Sequence, residues 1–253
     1  PMATGVLVVG IERGTRFLAH LVTETKTYRA TIRLGASTTT DDAEGDITSR
    51  TDTTDVTDTL IDAAIAQLTG DIMQKPAAVS AIKIDGKRAH ERVRDGETVD
   101  IPARPVTVHR FDVLDRRSVD GYIDLDVDVF CSSGTYIRSL ARDLGNALGV
   151  GGHLTALRRT TVGPFDLTHA RTLEELEDNP QLSLTLDQAL AASFPVLRVS
   201  GEEGHKLAMG QWLEPRGLKG IHAAVTPDGQ AVALVKEKGK RLATVFVARP
   251  STL

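Results

Sequence analysis

Tyr136 and Arg138 stand at the point where one hydrophobic period gives way to another. Upstream, Ile123, Leu125, Val127 and Val129 alternate with Asp124, Asp126 and Asp128, which predicts a strand with one buried and one wet face. Past Ser133-Gly134-Thr135, Ile137, Leu140, Ala141, Leu144 and Leu148 recur at helical spacing, and Gly149 sits where such a helix would stop. A phenol ring and a guanidinium delivered at the mouth of a helix can stack on a base or clamp an anion. As a bare pattern, a surface tyrosine and arginine in an ordinary strand–turn–helix unit is the better account.

Other reactive side chains offer less. Cys131 is the single cysteine, so no internal disulfide is possible and no cluster for a structural metal exists around it. With no catalytic partner beside it in sequence, it reads as a small buried residue at the strand end. Asp41 and Asp42 sit in a polar loop and would be weak metal candidates, but no calcium-loop spacing follows them.

The elements that must position these groups are those of an ordinary globular protein. A chain of 253 residues with 41% hydrophobic and 25% charged residues can bury a full core and hold one large domain or a large and a small one. No apolar run approaches membrane-spanning length, and a reducing, cytoplasmic setting is the expectation. The net charge of −4 is unevenly spread: residues 36–72 carry nine acids and one base, 75–110 eight bases and five acids, and 205–250 eight bases and three acids. Two basic regions could therefore face a phosphate backbone while the acidic stretch faces away, an arrangement also common in proteins that never touch RNA.

In order, Val6-Leu-Val-Val-Gly-Ile11 is a continuous apolar run that predicts a buried strand, and Gly14 to Leu21 a short helix with Phe17, Leu18 and Leu21 on one side. Lys26 to Leu34 alternates, with Tyr28, Ala30, Ile32 and Leu34 on one face and Arg29, Thr31 and Arg33 on the other. Thr57 to Leu68 predicts an amphipathic helix with Leu60, Ile61, Ala64, Ile65 and Leu68 as its apolar stripe. Residues 106–114 and 122–130 predict a strand pair, and 171–178 and 185–193 predict helices. From about Phe194 short strands take over, with Ile221–Val225, Ala231–Val235 and Leu242–Val247 forming a β-meander around a basic tip, Lys236 to Arg241.

Several of these stretches together carry a resemblance. Gly134-Thr-Tyr-Ile-Arg138 followed by Asp143-Leu-Gly145 resembles the core motif of the TruB family of tRNA pseudouridine synthases. Lys26-x-Tyr28, the loop matched by Leu34, Gly35, Thr38, Thr40, Asp42 and Gly45, and Leu157-Arg-Arg159 resemble further family motifs in the same order. So does Gln74-x-Pro76 with Ser80, Ala81, Lys83 and Gly86, although Ala77 and Val79 replace a proline and a tyrosine, and His90 stands where a tyrosine is usual. The opening Pro1, Ala3, Gly5, Val6 and Leu7 is similar to a family motif whose catalytic aspartate immediately precedes the proline. The resemblance thus implies that the nucleophilic aspartate falls one position before Pro1, that the chain is truncated there, and that this stretch alone is inactive.

The resemblance implies an α+β fold: a pseudouridine synthase domain at 1–190, built on a mixed, largely antiparallel sheet with flanking helices and carrying an RNA-gripping insertion at about 75–105. A small PUA-like, RNA-binding β domain would follow at 194–253. It implies isomerisation of the T-loop uridine at tRNA position 55, with no cofactor, no metal and no required protein partner, and the T-arm stem-loop of tRNA as the partner. Tyr28 would stack on the target base and take part in proton transfer, Arg138 would hold the aspartate ionised, and Leu157 would line the uridine pocket. A tyrosine whose unperturbed pKa is about 10 is mostly neutral at pH 7, so stacking suits Tyr28 better than a base role. Tyr136, Lys83, Arg158 and Arg159 would contact substrate, with Lys87, Arg88, Arg92 and Arg94 as further phosphate contacts. His153 lacks a nucleophile to serve and is read as structural or RNA-facing. The alternative is a non-catalytic tRNA-binding or tRNA-folding protein.

Overall fold

The computed structural model describes residues 2–22, 24–80, 83–84, 87–89, 91, 95 and 100–250, the side chains of 83, 84, 87 and 88 excepted. Along the chain run β1 (Thr4–Gly5), α1 (Arg13–Phe17), β2 (Lys26–Leu34), β3 (Ala36–Thr38), β4 (Ile47–Arg50) and α2 (Asp58–Gln67). Next come β5 (Gly70–Gln74), β6 (Lys83–Ile84), β7 (Lys87–Arg88), β8 (Arg104–Val119), β9 (Tyr122–Cys131), α3 (Ile137–Ala147) and β10 (Gly152–Val162). They are followed by β11 (Phe165–Asp166), α4 (Leu173–Asp178), α5 (Leu186–Ser193), β12 (Val196–Arg198), α6 (Gly201–Ala208), β13 (Ile221–Val225), β14 (Ala231–Lys238) and β15 (Arg241–Val247). Two units emerge, Pro1–Val6 with Thr23–Val162, and Leu7–Val22 with Gly163–Leu253.

The first unit is built on a sheet in the order β1-β10-β2-β9-β8-β5, antiparallel except where β1 runs parallel to β10. Its register follows from the alternation in the sequence. Ala30, Ile32 and Leu34 of β2 pair with Val127, Leu125 and Ile123 of β9, and all six are buried. The opposite face is a charge ladder: Arg29, Thr31 and Arg33 stand across from Asp128, Asp126 and Asp124. Arg33 donates from Nε and Nη2 to the two oxygens of Asp124, each at 2.8 Å, and Thr31 donates to Asp126 at 2.7 Å. Asp124 is buried under this pair, so the face is wet only in part. Asp120 and Gly121, both with positive φ, form the two-residue turn between β8 and β9 that matches the twist of a hairpin.

Helix α3 lays Ile137, Leu140, Ala141 and Leu144 into the core formed by this sheet. It ends at Gly149, whose φ of 73° reverses the chain, and the carbonyl of Gly145 accepts from Val150 and Gly151 at 3.0 Å each. Any Cβ at Gly145 would overlap the backbone of Gly151 and Gly152, so helix and strand touch backbone to backbone.

The second unit carries a sheet in the order β12-β13-β14-β15, whose last three strands are the expected meander. Phe17, Leu21, Phe165, Leu190, Leu234 and Phe246 form one cluster there, and Leu207, Leu213, Val235 and Leu242 another. The architecture is the mixed α and β fold expected from sequence, with a largely antiparallel sheet, flanking helices and a smaller β unit. Among the described residues no helix is long and apolar enough to cross a membrane.

Three local expectations are corrected. Residues 6–11 form no buried strand: Leu7, Val9 and Ile11 are 73%, 71% and 62% exposed, because ladder pairing stops just past Gly5, where φ is 98°. Leu60 lies outside the apolar stripe of α2 and is exposed. Helix α6 has no counterpart in the sequence reading, although Ser200 and Glu203 form a reciprocal capping box at its start, a signal present in the sequence. Within the second unit Phe165 and Leu190 pack with Phe246 and with Phe17 of α1.

Because the clash at Gly145 is with backbone, Gly145→Ala should destabilise the protein by about 3 kcal/mol, the upper end of overpacking costs. Gly134 has φ 83° but open space around it, so Gly134→Ala should cost only about 1 kcal/mol. Urea denaturation of both variants checks the order, and a larger loss at Gly134 would refute the close approach of α3 to β10.

Candidate active site

Tyr28 lies on β2 between Val129 of β9 and Arg159 of β10. Its ring is half-buried and packs against the core of the unit, as does Leu157, which stands opposite Ala30 in the same ladder. Burial pushes the Tyr28 phenol above its ordinary value, and the neighbouring Arg159 guanidinium pulls it only part of the way back. The phenol is therefore neutral at pH 7.

The two arginines after Leu157 do different things. Arg159 donates from Nε to the carbonyl of Val6 at 2.7 Å, and its own carbonyl accepts from the Val6 amide at 2.8 Å. Gly5 is required beside it, because a Cβ there would overlap the Arg159 backbone. Arg159 thus anchors the opening segment. Arg158 is exposed, and among the described residues it donates only to Thr4 Oγ1, at 3.3 Å, which leaves its guanidinium accessible.

The motif at the head of α3 is held by groups distant in sequence. Arg138 donates from Nη1 to the carbonyl of Thr40 at 3.1 Å and to Asp42 Oδ2 at 3.2 Å, and from Nη2 to the carbonyl of Val79 at 2.7 Å. Asp42, 5% exposed, also accepts on Oδ1 from Thr40 Oγ1 at 2.6 Å and from the Glu44 amide at 3.0 Å. Among the described residues, the carboxylate that Arg138 meets is thus Asp42. One helical turn on, Arg142 donates to Asp41 Oδ2 at 3.1 Å and to the carbonyl of Lys75 at 2.7 Å. Burial raises the Asp41 carboxyl more than Arg142 lowers it. The two arginines together tie the 40–42 loop and the 75–79 segment to one face of α3.

Gln74 completes the arrangement. It is 1% exposed, its Oε1 accepts from the Tyr136 amide at 2.8 Å, and its Nε2 donates to the Tyr136 carbonyl at 3.1 Å. This reciprocal pair fixes the residue that precedes α3, where no side chain caps the helix. The Tyr136 ring stays half-exposed.

Gln74 and Arg142 are the residues sequence reasoning missed. The signal for Arg142 was its four-residue spacing from Arg138; the signal for Gln74 was only its place in a motif. His153 is buried with Nδ1 2.9 Å from the Ala36 carbonyl, a structural role. Cys131 is fully buried and its thiol is pushed to about 11, chiefly by burial, so it is not a nucleophile at neutral pH. The Lys83, Lys87 and Arg88 side chains, and Arg92 and Arg94 entirely, lie outside the described residues. Among the described residues no group of three His, Cys, Asp or Glu could hold a metal ion.

Three family models match in succession: "TruB family pseudouridylate synthase (N terminal domain)" over residues 1–137, "tRNA pseudouridylate synthase B C-terminal domain" over 138–192, and "tRNA Pseudouridine synthase II, C terminal" over 194–249. A curated relative named tRNA pseudouridine synthase B from Corynebacterium efficiens is 73% identical over 253 residues, which is all of this chain and 85% of the relative. One of the same name from Nocardia farcinica is 58% identical, over all of this chain and 83% of the relative. Among solved structures, the crystal structure of a Cbf5-Nop10-Gar1 complex aligns with a TM-score of 0.71 at 25% identity, over 99% of this chain and 74% of that one. An H/ACA RNP bound to a substrate RNA containing 2'-deoxyuridine shares the fold, with a TM-score of 0.66 at 23% identity over 95% and 71% of the chains.

Two measurements test this geometry. Gln74→Leu leaves the Tyr136 amide and carbonyl unpaired and should cost about 2 kcal/mol in chemical denaturation; no loss would mean that water replaces the amide. The Cys131 thiol, raised from 9.0 to about 11, contributes stability that is fully present below pH 9 and lost as pH rises through about 11. Native-state labelling with a thiol reagent should accordingly be slow at pH 8 and accelerate only above pH 10, and fast labelling at pH 8 would contradict the buried placement.

Proposed function

The chain belongs to the TruB family of pseudouridylate synthases, and from that premise we propose that it converts the T-loop uridine at tRNA position 55 to pseudouridine. The reaction breaks the N1–C1′ bond of the nucleotide and joins C5 to the same C1′. C5 gives up its proton and N1 gains one, so no redox or hydrolytic partner is called for. The target base must leave its stack to be reached, which requires a pocket wall that accepts a flat ring.

The observation that carries the reading is the neutral, half-buried Tyr28 ring beside Leu157, close to the strand that opens the chain. Tyr28 stacks on the flipped uracil and Leu157 closes the pocket beside it. The aspartate that the family pattern puts directly before the proline matched by Pro1 is the nucleophile. Arg138 acts on that site by positioning: through Asp42 and the carbonyls of Thr40 and Val79 it holds the loops that border the pocket. Arg158 and Lys83 contact the RNA backbone, Tyr136 lines the approach from the head of α3, and Arg159 holds the opening segment in place. The enzyme works on the T-arm in the cytoplasm, without a protein partner, metal or cofactor.

The test uses a T-arm stem-loop carrying tritium at C5 of its uridines, with the protein bearing its residue before Pro1. Tritium release confined to one T-loop uridine is expected, and binding without release would favour a tRNA-binding or tRNA-folding role. Tyr28→Phe should keep T-arm affinity, while Tyr28→Ala should weaken it about tenfold, the value of one lost base stack. Equal affinities for the two variants would remove Tyr28 from the base.

A further inference from the structure

In the first unit, apart from the groups around Tyr28 and Arg138, an open cavity of about 410 Å³ lies between α2 and β8. Ile61 and Leu125, both buried, and Val113 give it an apolar floor, and the side chains of Asp58, Asp62, Asp115 and Arg116 stand around it. Arg116 closes one end, donating from Nη1 to Asp58 and from Nη2 to the Val56 carbonyl at 2.8 Å. Asp115 accepts from Arg117 Nη1 at 2.8 Å. Asp62 is exposed, and among the described residues no cation pairs with it.

The cavity adjoins an open strand edge. β5 covers the outer edge of β8 only from Arg104 to Val108. From residue 109 to 119, β8 pairs with β9 on one side and, among the described residues, with no strand on the other. A register shift between Val113 and Asp115 bulges Leu114, which is 53% exposed. Such an edge offers a row of backbone donors and acceptors to an extended chain. Exposed Arg110, Asp112, Asp115 and Arg117 discourage apolar strands there, so an incoming segment must answer charge with charge. The side chains of an added strand alternate between the two faces of the sheet, which sends every second one toward the cavity under α2. An apolar floor with an unpaired carboxylate beside it fits a side chain with a methylene stem and a cationic head.

We propose that the outer edge of β8 and this cavity dock an extended segment of a partner protein. The segment adds as a strand and lays a lysine or arginine over Ile61 and Val113, with its cation at Asp62. A second copy of the chain is the poorer occupant. An isologous contact would set a patch of three carboxylates and one guanidinium against itself, whereas a cationic segment brings the opposite sign.

Amide hydrogen exchange of the whole chain reads the edge directly. The probe is the capped peptide Thr-Val-Thr-Lys-Thr-Val-Thr, which as a strand turns valine, lysine and valine to one face. At about ten times its Kd it should slow exchange of the 109–119 amides that do not pair with β9 about tenfold. The same peptide with glutamate for lysine should bind about fivefold more weakly, the upper end of one exposed ion pair. Asp62→Lys, at an exposed position, should reverse that preference. Methylation of alternate backbone nitrogens in the lysine peptide should abolish protection, because the ladder donors are gone. No protection by the lysine peptide would overturn the proposal. Equal protection by the glutamate peptide, or an unchanged preference in Asp62→Lys, would remove the cationic side chain from it. Protection by the methylated peptide would remove the added strand. Protection that grows with protein concentration alone, with a doubled mass in sedimentation, would give the edge to a second copy and overturn the partner segment. The exchange readout needs no uridine conversion, so failure here and failure of the T-arm assay are separately visible.

Discussion

The Arg138 guanidinium reaches three oxygens on two separate segments: the Thr40 carbonyl, the Asp42 carboxylate and the Val79 carbonyl. Arg142, one turn along the same helix face, repeats the pattern with Asp41 and the Lys75 carbonyl. A loop of threonines and acids and a segment interrupted by proline have little propensity to hold a shape of their own. The planar, permanently charged guanidinium supplies what they lack, since it can satisfy several carbonyl and carboxylate oxygens at once. Asp42 is buried and would be costly unpaired; its three donors, Thr40, the Glu44 amide and Arg138, offset that cost and make it the hub of the loop.

The helix that carries both arginines is itself fixed at each end. Gln74 grips the Tyr136 backbone before it begins, and the glycine contact at Gly145 sets its distance from β10. β10 then carries Leu157 and Arg159 to the Tyr28 ring on β2. These elements thus hang on one helix and two strands whose relation is set by backbone contacts, which gives them a fixed mutual geometry. Burial outweighs the neighbouring Arg159 guanidinium and keeps Tyr28 neutral, while the Arg33–Asp124 pair lies on the opposite face of the sheet.

In the second unit the cations are distributed unequally. Those on helix α6, in the loop at Arg216 and near the end of β15 meet acids, whereas among the described residues those around Trp212, like Lys219 and Lys236, do not. An acidic protein can therefore keep a local positive field where its composition as a whole argues against one.

Sequence periodicity alone determined β2, β9 and α3, because burial on one face imposes a period of two on a strand and 3.6 on a helix wherever it occurs. Ordered motifs around Tyr28, Asp42, Gln74, Arg138 and Leu157 determined the family. Periodicity misled where burial depends on having a neighbour: Leu7, Val9 and Ile11 are apolar but uncovered, and Leu60 turns outward. Only the tertiary structure decided which carboxylate Arg138 meets, that Gln74 serves the Tyr136 backbone, that Arg158 and Arg159 divide their work, and that Trp212 lies against Arg241. These are pairings between side chains far apart along the chain, and their partners are chosen by strand register and backbone approach, which no local pattern of residue types encodes.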